Sequence, residues 1–107
     1  MSIRLKFHYK LYMGRSMKWE KQDILKKKLR HDPASCGLFL ITVSRNPSDQ
    51  LEIIQTRQLA QRYYKKFPPY VAGIAAGYDE ALEVVEELVK ECLKARGDCA
   101  LKEYLLC

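Results

Sequence analysis

The chain has no close pair of cysteines, only two histidines and no long apolar run. Each absence removes a class of function. Cys36, Cys92, Cys99 and Cys107 form no C-x-x-C pair, which zinc and thioredoxin-like redox sites usually require. His8 and His31 are the only imidazoles, so neither a metal site nor a cofactor is expected. The four cysteines read as free thiols in a reducing compartment. Charges recur throughout, so no segment reaches the length of a membrane span. Residues 1–8 (MSIRLKFH) lack the uninterrupted apolar stretch of a secretory signal, which points to a cytoplasmic protein. No internal repeat, low-complexity tract or linker interrupts the 107 residues, and one domain over 1–107 is expected.

What is present is a globular composition, 48% hydrophobic and 30% charged, with enough length to close one core. The net charge of +6 is uneven. Residues 1–70 carry 15 Lys/Arg against 5 Asp/Glu, a balance of +10, whereas residues 71–107 carry 4 against 8, a balance of −4. A basic body with an acidic last third attracts a polyanion, or pairs internally, or pairs with a second copy.

Hydrophobic periodicity then places the elements. From Arg4 to Met13 the residues alternate, with Leu5, Phe7, Tyr9 and Leu11 on one side and Lys6, His8, Lys10 and Tyr12 on the other, the period of a half-wet strand. Met17, Ile24, Leu25 and Leu29 predict a basic helix over 17–30 with Ser16 as its N-cap, ended before Pro33. Residues 38–43 (LFLITV) form a continuous β-rich run, a strand buried on both faces. Residues 51–54 (LEII) carry two signals. Asp49 and Glu52 make a capping signature for a helix, while the run fits a short strand paired back on 38–43. Leu59, Ala60, Tyr63, Tyr64 and Phe67 then share one helical side until Pro68-Pro69.

Residues 70–75 (YVAGIA) are the third core strand and run through glycines into a helix over 79–96. Ala81, Leu82, Val85, Leu88, Val89 and Cys92 form its apolar stripe, with Glu80, Glu83, Glu86, Glu87 and Glu91 toward water. Asp79 and Glu80 suit the positive end of its dipole, and Gly97 supplies the stop. Leu101, Tyr104 and Leu105 predict a short docked final turn.

Strand and helix alternating three times imply an α/β fold, a small three-stranded, mainly parallel sheet with helices packed on it. If residues 51–54 pair as a strand, the order becomes βαββαβ plus a helix, a ferredoxin-like α+β alternative. In the parallel arrangement three turns leave the carboxyl ends of the strands together, where open α/β sheets bind ligands. They carry Gly14, Arg15 and Ser16, then Ser44, Arg45 and Asn46, then Gly73, Gly77 and Tyr78. Two arginines, two serines, an asparagine and glycine amides suit a small anionic ligand, although the same residues also simply turn and cap.

Stronger chemistry is not written here. Residues 73–77 (GIAAG) lack the Lys-Ser/Thr of a P-loop and the third glycine of a dinucleotide fingerprint, and Asp79 and Glu80 would repel a phosphate. The small residues read instead as room for helix and sheet to approach. Cys36 with His31 five residues upstream is the only candidate for an activated thiol, and no third orienting group accompanies it. A basic surface remains: Lys18, Trp19, Lys21, Lys26, Lys27, Lys28 and Arg30 on one helix, and Arg62, Lys65 and Lys66 beside Tyr63 and Tyr64. Lysines beside aromatic rings suit nucleic acid, and equally a solvated helix face over core tyrosines.

Residues 73–83 (GIAAGYDEALE), together with 40–44 (LITVS), 46–53 (NPSDQLEI) and 12–16 (YMGRS), resemble a family of small proteins of unknown function from clostridial-type Firmicutes bacteria. The resemblance implies a bacterial, cytoplasmic setting and brings no activity or ligand with it. The functional expectation is a non-enzymatic binding or regulatory module for an anionic ligand, nucleic acid or small molecule. The alternative is a homo-oligomeric adaptor, in which the acidic helix meets the basic helix of another copy or Leu101, Tyr104 and Leu105 pair across copies. A small enzyme using the strand-end turns is the least supported, and no membrane partner is expected.

Overall fold

The computed structural model describes residues 4–106. The elements are β1 (Lys6–Met13), α1 (Gln22–His31), β2 (Phe39–Val43), β3 (Leu51–Gln55), α2 (Arg62–Lys66), β4 (Tyr70–Ala75), α3 (Tyr78–Arg96) and α4 (Leu101–Leu106). Short 3-10 turns precede α1 (Arg15–Met17), precede β2 (Pro33–Ser35) and follow β3 (Thr56–Ala60).

The fold is mixed α/β, but its sheet has four strands in the order β1-β4-β2-β3 and is mostly antiparallel. Only β1 and β4 run parallel, while β2 opposes both of its neighbours, β4 and β3. This corrects the three-stranded, mainly parallel expectation. The cause is local: residues 51–54 pair back on β2, with Leu40 opposite Ile54 and Thr42 opposite Glu52. The short connection makes β2 and β3 antiparallel, and β2 also pairs antiparallel with β4. The succession βαββαβ plus a helix matches the ferredoxin-like alternative, but the strand order does not. In that arrangement the first and third strands are central, and here the second and fourth are.

Two apolar layers sandwich the sheet. On one face Leu25 and Leu29 of α1 join Leu40, Ile54, Leu59, Val71 and Ile74. On the other, Ala81, Val84, Leu88 and Cys92 of α3 and Leu101 and Leu105 of α4 cover Tyr12, Ile41, Ala72 and Ala75. Each fully buried leucine or isoleucine contributes about 1.5–3 kcal/mol. The apolar stripe of α3 includes Val84, and Leu82, expected within it, is exposed. Gly97 ends the helix at φ 79°, the left-handed conformation that favours glycine.

Small residues on β4 set the distance between layers. A Cβ built on Gly73 would lie 2.9 Å from Val84 Cγ1 and 3.0 Å from the Tyr12 carbonyl oxygen. The pairings Ile41–Gly73 and Thr42–Val71 leave Ala72 as an extra residue, a bulge that turns the strand's faces over. β1 bulges further: Phe7 pairs Val71 and Tyr12 pairs Gly73, so residues 8–11 face a single residue of β4. Strict alternation therefore fails there. Tyr9, expected among the core residues, is 91% exposed, and His8, expected on the wet side, is buried.

Two helix expectations shorten. The basic helix begins at Gln22 rather than Met17, because the Ser16 hydroxyl is used elsewhere and caps nothing here. The helix expected after Thr56 is a 3-10 turn, an extended Gln61 and the short α2. Gln55 and Gln58 cap that turn reciprocally.

Candidate functional site

Reversal of β2 separates the three turns expected at one sheet edge. Gly14, Arg15 and Ser16 still leave β1 beside the segment of Gly77 and Tyr78 that leaves β4, whereas Ser44, Arg45 and Asn46 leave β2 at the opposite end.

The first group closes on itself. The Ser16 hydroxyl donates to both Glu80 carboxylate oxygens (2.8 and 2.7 Å) and its backbone N–H donates to Oε1 (3.1 Å). These bonds, with help from Arg15, hold the Glu80 carboxyl below the usual carboxylate range. Arg15 pairs with Glu83. A Cβ on Gly14 would sit 2.5 Å from Glu80 Oε1, the end of a flexible side chain, and 3.2 Å from Cα and Cβ of Ala75. Gly73 is packed under α3, and Gly77 is the extended N-cap of that helix, with open space around it. Tyr78 meets Phe39 edge to face at 6.1 Å. Two carboxylates occupy this edge and engage the Ser16 hydroxyl and the Arg15 guanidinium.

The opposite end is open. There α2 and Pro68-Pro69 arch over the ends of the strands and leave a cleft of about 480 Å³. Its walls are aromatic. Tyr63 contacts Tyr64 (5.2 Å, edge to face) and Phe67 (5.4 Å, tilted), with Tyr70 of β4 close by. Arg45, on the turn after β2, lays its guanidinium over the Phe67 ring at 5.0 Å. Arg4 and Lys6 reach the same cleft from the start of β1. Among the described residues none of these three cations is in an ion pair.

One acid joins them. Glu52 of β3 lines the cleft with its Oε1 accepting the Ser44 hydroxyl at 2.9 Å. Ser44 is buried and also accepts the Asn46 N–H at 3.1 Å, while Asn46 Oδ1 accepts the Ser48 N–H at 3.0 Å. Both side chains thus build the turn that carries Arg45. Burial, and then the charge of Glu52, pushes the Tyr64 hydroxyl above its ordinary pKa, so Tyr64 stays a neutral phenol.

The basic helix residues are dispersed over α1 and its approach. Lys26 and Arg30 stand over the Phe7 ring at 5.5 and 4.9 Å, and Arg30 donates to the Leu5 carbonyl at 3.3 Å. Lys18, Lys21, Lys27 and Lys28 are exposed, and Trp19 is 90% exposed. Arg62, Lys65 and Lys66 lie on the outer side of α2, with Lys66 5.7 Å from the Phe67 ring. Tyr63, expected within the core, is half exposed.

Other candidates resolve simply. Cys36 Sγ donates to the Asp32 carbonyl at 3.5 Å and burial pushes its thiol up, the opposite of an activated nucleophile. Cys36, Cys92 and Cys99 are free thiols, and Cys107 lies outside the described residues. Leu101 and Leu105 are buried in the layer that α3 forms on the sheet. The described residues include no group of three or more His, Cys, Asp or Glu able to hold a metal ion, and no helix long and apolar enough to cross a membrane.

Arg4, Lys6, Glu52 and Tyr70 were absent from the sequence-derived site. The available signal was the aromatic run Tyr63, Tyr64, Phe67 closed by Pro68-Pro69, a compact turn that stacks rings beside a chain reversal. Comparison of the chain with family models, with curated proteins and with solved structures returns no match.

Proposed function

We propose that the chain is a binding module for a small anionic ligand with a flat apolar body, held in the cleft between α2 and the sheet. The observation that carries this reading is the combination of aromatic walls with Arg4, Lys6 and Arg45, three cations free of ion pairs among the described residues. A concave, mostly apolar pocket with a few converging polar groups is the usual form of a small-molecule site. The volume of about 480 Å³ falls within the range of such pockets. Binding rather than catalysis is favoured because Ser44, the buried hydroxyl of the cleft, is committed to Glu52 and Asn46.

Titration of the protein with naphthalene-2-sulfonate, followed by amide chemical shifts, tests the reading. Saturable shifts are expected at residues 43–45, 63–70 and the start of β1, and Arg45→Ala should weaken binding roughly tenfold or more, the size of a hydrogen bond to a charged group. Shifts confined to α1, or affinity unchanged in Arg45→Ala, would refute it.

A second reading, single-stranded nucleic acid along α1, is favoured by one observation, the 90% exposure of Trp19 among Lys18, Lys21 and the α1 lysines. An indole on a basic face offers a stacking platform beside phosphate contacts. Salt-sensitive binding of mixed-sequence RNA or DNA, lost in Trp19→Ala, would support it, and binding indifferent to salt would reject it.

A further inference from the structure

A carboxylate is out of place in a cleft built only for anions. Among the described residues Glu52 is the one acid that lines the cleft, and it forms no ion pair with any of them. It is also aimed. The buried Ser44 hydroxyl holds Oε1 at 2.9 Å, and the neighbouring Thr42 hydroxyl donates to the Glu52 backbone carbonyl at 3.4 Å. Its charge reaches the Tyr64 hydroxyl on the aromatic wall. A purely anionic ligand would be drawn by Arg4, Lys6 and Arg45 and repelled by Glu52. A ligand that also carries an N–H donor turns that repulsion into a charge-assisted hydrogen bond.

We propose that Glu52 determines the specificity of the cleft by accepting an N–H donor from a flat ligand whose anionic group lies against the cations. The ligand class is therefore bipolar: an aromatic ring system, an anionic group and an N–H donor within one small molecule. This rests on the cleft reading above. Two sources share that chemistry, a nucleoside monophosphate whose base offers N–H groups on one edge and an aromatic amino acid with its ammonium and carboxylate. Sites that hydrogen-bond a donor discriminate against the analogue lacking it far more strongly than apolar pockets distinguish sizes.

Matched pairs of probes isolate the donor. Guanosine monophosphate is compared with purine riboside monophosphate, which has neither amine nor ring N–H, and phenylalanine is compared with 3-phenylpropionate. Affinities for the full chain are measured by calorimetry or amide shifts, alongside naphthalene-2-sulfonate as the donor-free reference. In the wild type, the donor-bearing member of one pair should bind roughly tenfold or more tightly than its partner, the magnitude of a hydrogen bond to an ionised group. The pair that shows the preference identifies the source. Glu52→Gln should erase the preference while leaving the donor-free member bound as well or better.

Ser44→Ala keeps the carboxylate but releases its aim, and should reduce the preference without abolishing it. This serves as a second variant should Glu52→Gln disturb the β2–β3 pairing. A merely structural Glu52 would lower both members of a pair together. If the reference binds through Arg45 and neither pair shows a preference, the role of Glu52 is overturned and the cleft reading stands. If nothing binds in the cleft, both fall.

Discussion

Gly73 and Gly77 offered the same sequence signal, yet the structure assigns them opposite tolerances. At Gly73 an added methyl lies 2.9 Å from Val84 Cγ1, 3.0 Å from the Tyr12 carbonyl oxygen and 3.4 Å from Ile41 Cδ1. Carbon atoms pack best at roughly 3.5–4.0 Å, so the first contact is short by more than half an ångström. Neither main neighbour yields easily. The Tyr12 oxygen belongs to the strand paired with Gly73, and Val84 is a buried β-branched residue with little rotamer freedom in a helix. Overpacking of this kind costs about 1–3 kcal/mol, while replacing glycine stiffens the unfolded chain and returns about 0.4–1 kcal/mol. Gly73→Ala should therefore lose about 1–2 kcal/mol net, a fall in Tm on the order of 5–12 °C. At Gly77 nothing lies within 4 Å of an added Cβ, and φ −150°, ψ 171° is extended backbone open to any residue. Gly77→Ser places a better N-cap on α3 and should be neutral or stabilising by a few tenths of a kcal/mol, to order of magnitude. Urea unfolding followed by circular dichroism reads both variants, with the midpoint moving and the slope unchanged. Equal stability of Gly73→Ala and wild type would refute the close approach of α3 to β4.

Three further outcomes follow from named contacts. Burial holds the His8 imidazole below its ordinary pKa of 6.5, against the raising effect of the Leu105 carbonyl and with repulsion from Lys10. Its ring sits between Tyr9, Tyr12 and Tyr70. The unfolded chain takes up this proton first, so stability is full above pH 6.5 and falls as pH drops toward the depressed folded value. Thermal melts from pH 7.5 to 5 should show that fall in the wild type and a smaller one in His8→Gln, and a rise on acidification would contradict it. The Glu80 carboxyl, held below 4.5 mainly by Ser16, contributes stability present above pH 4.5 and lost as pH falls through its folded value. Ser16→Ala should flatten that acid limb, and an unchanged limb would show that the bond carries no linkage. Leu105→Ala, at a side chain 2% exposed, should cost about 2–5 kcal/mol, and an unchanged urea midpoint would mean that α4 does not cover the sheet.

The parts of the fold legible in sequence are those where one signal acts alone. Residues 38–43 and 70–75 are largely apolar, uncharged runs with β-branched members, and both supply strands at the centre of the sheet. The helix over 79–96 is set by an amphipathic period between a glycine N-cap and a left-handed glycine stop, and it starts within one residue of its expected place. Where two signals compete, the sequence alone was insufficient. Asp49 and Glu52 signalled a helix start while LEII signalled a strand, and tertiary pairing with β2 decided for the strand. Bulges are invisible to a period of two, so Tyr9 and His8 exchanged their expected environments.

That one strand also relocated the site. With β2 reversed, Ser44 and Arg45 lie at the opposite end of the sheet from Gly14 and Ser16, beside Tyr63, Tyr64 and Phe67. The charge asymmetry follows the same geometry. Three acids of α3 are engaged by the first part of the chain, Glu80 by Ser16, Glu83 by Arg15 and Glu91 by Lys10. Two of these contacts, Arg15–Glu83 and Lys10–Glu91, are ion pairs that join the basic part to the acidic helix along β1 and the turn after it. Arg4, Lys6 and Arg45 lie at the other end of the sheet and share none of those acids. Among the described residues these three exposed cations form no ion pair, so their charge remains beside the aromatic walls of the cleft.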